Sequence, residues 1–317
     1  HTRSLRDWSS DVCSPDLSSG YCFDMADNPH HGDRSRCPSP ASVWHGGGME
    51  ISPPLRTAVV TGAGAGIGRA LAARLHAEGV GLVVSDLDPD TCAATAAELD
   101  ALSFPADAAD PTQVRALTLF ATDALGSLDA FFANAGVASA GFVDDCVQPV
   151  DWRRAWDVNV MSHVYAFESV LPDWLAAGHG RFVSTVSAAG LLAMLGAPAY
   201  NASKHAAVAF AEWISYTYGD RGIVAQCICP LGVNTGLVEW DTPEAQLLLR
   251  PGMLEPEAVA DAVVQALPNN KFLILPHANV AAATVQRAQD PDAWLAAMRG
   301  LQRKADALRS ASAEGDG

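Results

Sequence analysis

Thr61-Gly-Ala-Gly-Ala-Gly-Ile-Gly68 is the stretch on which the reading of this chain turns. It follows Thr57-Ala-Val-Val-Thr61, a short β-branched run that reads as a buried strand, and precedes an amphipathic pattern through Glu78 that reads as a helix. Glycines at a strand-to-helix junction allow a tight turn. They let backbone N–H groups approach a pyrophosphate at the helix N-terminus, where the dipole favours negative charge. A glycine cluster alone marks only a turn. Its position here points to a dinucleotide, with Thr61, Gly62, Gly66, Ile67 and Gly68 as contact residues.

Working outward, strands and helices alternate. Strands are expected at Gly81–Ser85, near 101–105, and at Leu128–Ala133, Arg181–Val186, Ile223–Cys229 and Phe272–Leu275. Helices are expected over 90–99, 111–125, about 150–176, Tyr200–Gly219, 256–267 and the C-terminal segments. Apolar strands alternating with longer helices give a parallel sheet covered on both faces. With right-handed crossovers, this is an α/β, doubly wound, Rossmann-type single domain. No charged residue falls between Arg181 and Lys204, but Ser, Asn and Pro interrupt that stretch and no 18-residue apolar run exists, so it is not a membrane span.

Composition narrows the partners. Of 317 residues, 49% are hydrophobic, ample for a core, and the formal charge of −16 argues against nucleic acid or an anionic membrane surface. The seven cysteines include no C-x-x-C pair and no metal-ligand spacing. That favours a reducing, cytoplasmic setting with no metal and no disulfide framework. Residues 1–48 stand apart: they are rich in Ser, Pro and Gly, lack a sustained apolar period, and include an Arg3–Leu17 run that looks like translated sequencing-adapter DNA. We expect translation to begin at Met49, with Met25 as the second choice, residues 1–48 to be no natural domain, and 49–317 to be the functional unit.

Further residues fall at strand ends, where doubly wound sheets bind ligands. Asp86, 20 residues past Gly66, ends the second strand and suits the adenosine ribose hydroxyls, while repelling a 2′-phosphate. NAD is therefore favoured over NADP. Asp107 follows the third strand and suits adenine, or serves equally as a turn residue. Tyr200-Asn-Ala-Ser-Lys204 places a phenol and an ammonium at i and i+4 on one helix face. Proton transfer at a carbinol oxygen near neutral pH needs a phenol well below about 10, and a three-unit drop corresponds to about 4 kcal/mol. One ammonium about 4 Å away supplies a contribution of that size. Ser187 follows its strand with twelve residues between it and Tyr200, Asn134-Ala135-Gly136 ends another strand at the same edge, and Asn159 lies in the long helix.

From about Thr57 to Pro276 the chain resembles the short-chain dehydrogenase/reductase family in its compact single-domain branch. It matches the Thr-Gly-x-x-x-Gly-x-Gly loop, the Asn-Ala-Gly strand end, and an Asn, Ser, Tyr, Lys tetrad in order and spacing. The resemblance implies hydride transfer between a nicotinamide and an alcohol or ketone. Tyr200 is then the general acid/base, and Lys204 lowers its pKa and holds the nicotinamide ribose. Ser187 orients the substrate oxygen, Asn159 supports a water relay, and Asn134 braces the sheet. Where the family usually has Pro-Gly-x-Val-x-Thr, this chain has Pro230-Leu-Gly-Val-Asn-Thr235. Pro230, Val233 and Thr235 still match as carboxamide contacts, and Leu231 leaves the local backbone in question.

Residues 236–255 occupy the place of the family's mobile lid. With Leu191, Leu192, Met194 and Leu195 they suggest an apolar pocket for a bulky secondary alcohol or ketone, steroid-like or terpenoid. Family habit implies a homo-tetramer or homo-dimer through the two long helices, which carry Trp152, Trp156, Tyr165, Phe167, Trp213 and Tyr216. The alternative is a catalytically silent dinucleotide-sensing protein of the same fold.

Overall fold

The computed structural model describes residues 54–138, 148–238 and 240–315. The chain divides between Gly48 and Met49 into two units. The expectation about residues 1–48 lies outside the described residues.

Among the described residues a seven-stranded, wholly parallel sheet has the order β3-β2-β1-β4-β5-β6-β7. Its strands are β1 (Thr57–Thr61), β2 (Gly81–Ser85), β3 (Leu102–Ser103), β4 (Ala130–Ala133), β5 (Gly180–Thr185), β6 (Ile223–Ile228) and β7 (Leu273–Ile274). Side chains alternate between two apolar layers. Ala58, Val60, Leu82, Val84, Phe132 and Val183 meet α1 (Gly66–Ala77), α2 (Pro89–Leu99) and α7 (Pro256–Ala266). Val59, Val83, Phe131, Phe182 and Ala225 meet α3 (Pro111–Leu125), α5 (Ser162–Ala177) and α6 (Pro198–Tyr218). Burial on both faces is why these strands read as continuous apolar runs. Each fully buried Val or Phe contributes about 1.5–3 kcal/mol.

The expected elements are present, with boundaries shifted by a few residues. The main difference lies in the long helix. It runs as α4 (Pro149–Trp156), a π-helical turn Asp157–Met161, then α5. Single π turns inside α-helices commonly mark functional positions. This one carries Asn159. The chain closes with α8 (Ala278–Gln289) and α9 (Pro291–Gly315). No helix among the described residues is long and apolar enough to cross a membrane. Cys92, Cys227 and Cys229 are buried thiols, and burial pushes Cys229 up to about 12.

The strand order reverses between β1 and β4, so the crevice opens at the carboxyl ends of these two strands. Thr61 and Asn134 sit there; Asp86, Ser187 and Pro230 follow the ends of β2, β5 and β6 along the same edge.

Candidate active site

The glycine loop is tied down from both neighbouring strands. Asn134 Nδ2 donates to Thr61 O (3.0 Å) and Gly62 O (3.2 Å), while the Asn134 and Ala135 N–H groups donate to Thr61 Oγ1 (3.1 and 3.2 Å). Asn134 thus bridges the ends of β1 and β4. Gly66 takes φ +53°, and a Cβ on Gly68 would stand 2.0 Å from Gly62 O. Neither position accepts a side chain without displacing the loop. Ile67, in the first turn of α1, is partly buried and packs against the core. Thr235 lies over the loop, its Cγ2 3.1 Å from where a Gly66 Cβ would be.

Asp86 reaches the same loop: its Oδ2 accepts from Gly64 N–H at 2.8 Å. The nearby acids are otherwise engaged. Asp88 caps α2 by accepting from the Asp90 and Thr91 N–H groups, and Asp90 sits in that helix's first turn. Asp107 Oδ1 accepts from Ala109 N–H at 2.8 Å, so this carboxylate is folded into its own turn.

The four residues expected to handle the proton converge. Asn159, fully buried, is held on both sides of its amide: Oδ1 accepts from Val137 N–H (2.9 Å), and Nδ2 donates to Val137 O (3.0 Å) and Ser203 Oγ (3.1 Å). Ser203 Oγ in turn donates to Tyr200 O at 2.9 Å, joining Asn159 to α6. Ser187 Oγ accepts from Ala189 N–H (3.1 Å) and shares a side-chain hydrogen bond with Tyr200. Lys204 Nζ donates to Thr185 O (3.1 Å) and lies 5.6 Å from the centre of the Tyr200 ring. A Cβ on Gly136 would come within 3.3 Å of Asn159 Oδ1 and 3.4 Å of Lys204 Nζ, so Gly136 keeps this meeting point open.

The electrostatics differ from the expectation of a phenol lowered by its lysine. Burial pushes the Tyr200 phenol above its ordinary value, opposed by the hydrogen bond from Ser187. Burial also pulls the Lys204 ammonium down to about 8. The lysine is turned to a backbone carbonyl beside the ring, and desolvation outweighs the attraction. His163, one turn beyond Asn159, is fully buried with its edge toward Phe182. Burial, with a smaller contribution from Lys204, lowers it to about 3, so its imidazole is neutral.

The Pro230–Thr235 departure has a physical reason. Gly232 is required because a Cβ there would stand 2.2 Å from Leu249 O, so the glycine has moved one place rather than been lost. Leu231 N–H donates to His277 Nδ1 (3.1 Å), and His277 Nε2 pairs with Gly232 O (3.1 Å). Pro230 O accepts from Ala188 N–H at 2.7 Å. Val233 is buried and bridges to Leu254. Sequence reading missed Ser203, His277 and Gly64. Ser203 stood in plain view between Tyr200 and Lys204, but a serine in a helix carries no signal of its own.

A doubly wound sheet with this edge defines a dinucleotide-binding oxidoreductase. A family profile described as short chain dehydrogenase matches residues 56–245, and the chain belongs to that family, whose members act on CH–OH groups. Cyclohexanol dehydrogenase of Acinetobacter sp. (strain SE19) is 33% identical over 226 residues, covering 69% of this chain and 90% of that protein. The 1-deoxy-11-beta-hydroxypentalenate dehydrogenase of Streptomyces exfoliatus is 33% identical over 252 residues, 75% of this chain and 88% of that protein. A short-chain dehydrogenase/reductase from Burkholderia phymatum, crystallised in complex with NAD, superposes with a TM-score of 0.69 at 30% identity. That likeness covers 77% of this chain and 95% of the other.

Proposed function

We propose that this enzyme oxidises a bulky, apolar secondary alcohol, or reduces the matching ketone, using NAD, with Tyr200 as general acid/base. The observation that carries this reading is the convergence of Tyr200, Lys204, Ser187 and Asn159 at the sheet edge beside the glycine loop. The loop fits a dinucleotide. Its glycines leave backbone where a Cβ would collide, and Asp86 stands where its carboxylate would accept hydrogen bonds from a ribose diol. Thr61, Gly62, Gly66, Ile67 and Gly68 would hold the pyrophosphate side, and Asp86 and Asp107 the adenosine side. Asn134, Ala135, Gly136, Pro230, Val233 and Thr235 would hold the nicotinamide side, with Tyr200 and Lys204 at its ribose. NAD, when bound, supplies the hydride acceptor and a positive charge beside the phenol.

In the oxidation direction, Tyr200 takes the proton from the alcohol hydroxyl, which Ser187 orients by hydrogen bonding. Lys204 sets its charge against the desolvation that raises the phenol, and the nicotinamide's positive charge would add to it. Asn159, pinned through Val137 and Ser203, holds the outward proton path in register. Leu191, Met194 and Leu195, with Leu237 and Met253 from the lid, offer apolar walls. The names of the cyclohexanol and pentalenate relatives are consistent with a cyclic substrate.

We further propose a homo-oligomer in the cytoplasm, with residues 49–317 as the working unit. Trp152, Trp156 and Tyr216 are 42%, 46% and 76% exposed on α4 and α6, which favours a seam there. Phe167 is buried against Phe182 and contributes to the core instead.

A screen of secondary alcohols with NAD and NADP, read by absorbance of the reduced nicotinamide, tests the function. Turnover of cyclic alcohols with NAD is expected. A strong preference for NADP refutes the role of Asp86. Tight NADH binding with no turnover of any alcohol supports the dinucleotide-sensing alternative.

A further inference from the structure

We propose that the C-terminal helices α8 and α9 form a specificity brace, in which Arg287 and Arg309 each pin one wall of the substrate pocket. The proposal rests on the reading that places the substrate at Tyr200. One wall is the loop Leu191–Leu195, between Ser187 and Tyr200; the other is the segment 240–255, after β6.

The first wall is under local strain and is held from two sides. Ala193 adopts φ +117°, a conformation few side-chain-bearing residues accept. Its neighbour Met194 is clasped by Asn201, whose Oδ1 accepts from Met194 N–H and whose Nδ2 donates to Met194 O, both at 2.8 Å. Arg287 of α8 reaches in from the C-terminal side. Its Nη1 donates to Leu191 O and to His205 Nε2. His205 Nδ1 carries the remaining proton and donates to Asn201 O at 2.9 Å. A single guanidinium thus joins the strained loop to the turn of α6 next to Lys204.

The second wall is held by charge. Glu244 is 1% exposed and pairs with Arg309 of α9, which is itself aligned by Asp306 at 2.9 Å. A carboxylate buried without its cation costs several kcal/mol. Residues 240–250 therefore keep their seat only while α9 stays docked. Val280 on α8 and Ala305 on α9 are buried, so both helices are anchored by apolar contact as well. Arg287, Arg309 and Glu244 lie outside the Asn159, Ser187, Tyr200, Lys204 group. They are positioning residues, acting on substrate fit through the two walls.

The test uses the full chain with Arg287→Leu, Arg309→Leu, Arg309→Lys and Glu244→Gln. Hydrogen exchange is followed over both walls, and kcat and KM are measured with NAD for cyclohexanol and for 2-butanol. Arg309→Leu is expected to speed exchange in 240–250 and leave 190–195 unchanged, and Arg287→Leu to do the reverse. Each raises KM for cyclohexanol about tenfold, the scale of one lost charge-assisted hydrogen bond, while kcat on 2-butanol stays within about twofold of the parent. Arg309→Lys restores most of the cyclohexanol preference. Should Arg309→Leu fail to fold, Glu244→Gln carries the same comparison for that wall at nearly constant volume, with Arg309→Lys as the control that keeps the tie. Unchanged exchange at the matching wall overturns the brace, as does faster exchange with an unchanged ratio of the two alcohols. If the parent turns over neither alcohol, the reading of a simple secondary-alcohol substrate fails separately, and exchange alone decides the brace.

Discussion

The cofactor side of the crevice and its substrate side are held together by different means. Around the glycine loop, short side chains hold main-chain groups: Asn134, Thr61 and Asp86 bond to the backbone of the loop and of the strand ends beside it, and Gly68 is pressed against Gly62 O. Around the substrate walls, fixation is by long side chains from distant parts of the chain. Arg287 crosses to Leu191, and Arg309 crosses to Glu244. Polar atoms there are also left over: Trp240 Nε1, Glu244 Oε2 and Arg309 Nε are buried without a hydrogen-bond partner among the described residues. A close-packed backbone cradle suits a ligand common to a whole family. Adjustable side-chain ties suit a pocket that has to differ from one member to the next.

Three changes sharpen or break that contrast, taken from the largest effect down. Lys204 sits on the boundary, and burial holds its ammonium at about 8 against an ordinary 10.5. The shift corresponds to about 3 kcal/mol. With the folded value below the unfolded one, the cost is borne in full below pH 8. It is relieved as pH rises from 8 to 10.5, where the unfolded chain binds more protons. Denaturant unfolding of the parent and of Lys204→Met should therefore diverge across that window. The parent gains up to about 3 kcal/mol relative to the variant. Parallel curves would show that the lysine is not desolvated.

Asn134→Ala removes two side-chain donors from the β1–β4 junction, worth about 2 kcal/mol together. Thermal unfolding and NADH titration should both weaken, with the ratio of cyclohexanol to 2-butanol turnover unmoved. A changed ratio would mean that the two sides are not separable. The smallest effect is expected at Asp86→Asn, which removes a charge from the ribose position while leaving an acceptor for Gly64 N–H. The preference for NAD over NADP should fall about tenfold, or 1.4 kcal/mol, with stability little changed.

The contrast also explains what could be read in advance. Strand order, helix alternation and the glycine loop follow from period and composition over short windows, and the structure reproduces them within a few residues. Asn134, Ser187, Tyr200 and Lys204 were legible because each falls at a fixed place relative to a strand end or a helix turn. The π turn at Asn159 was not, since Asp157–Met161 keeps an ordinary helical pattern and the extra residue per turn is set by packing. His277 and Arg287 were equally hidden. Each acts across more than forty residues of sequence, on Leu231 and Leu191 respectively, and nothing local announces a tertiary tie. For the phenol, spacing placed Lys204 beside Tyr200 but not the carbonyl of Thr185, toward which the ammonium turns.

The central claim is that Tyr200 carries the proton chemistry while the glycine-loop side binds the cofactor independently of it. Tyr200→Phe, assayed for NAD-linked alcohol turnover and titrated with NADH by fluorescence, tests both halves in one protein. Turnover is expected to fall by about 10³–10⁴, the range for loss of a general acid/base, with the NADH Kd within about twofold of the parent. Turnover that survives the loss of the hydroxyl would contradict the account.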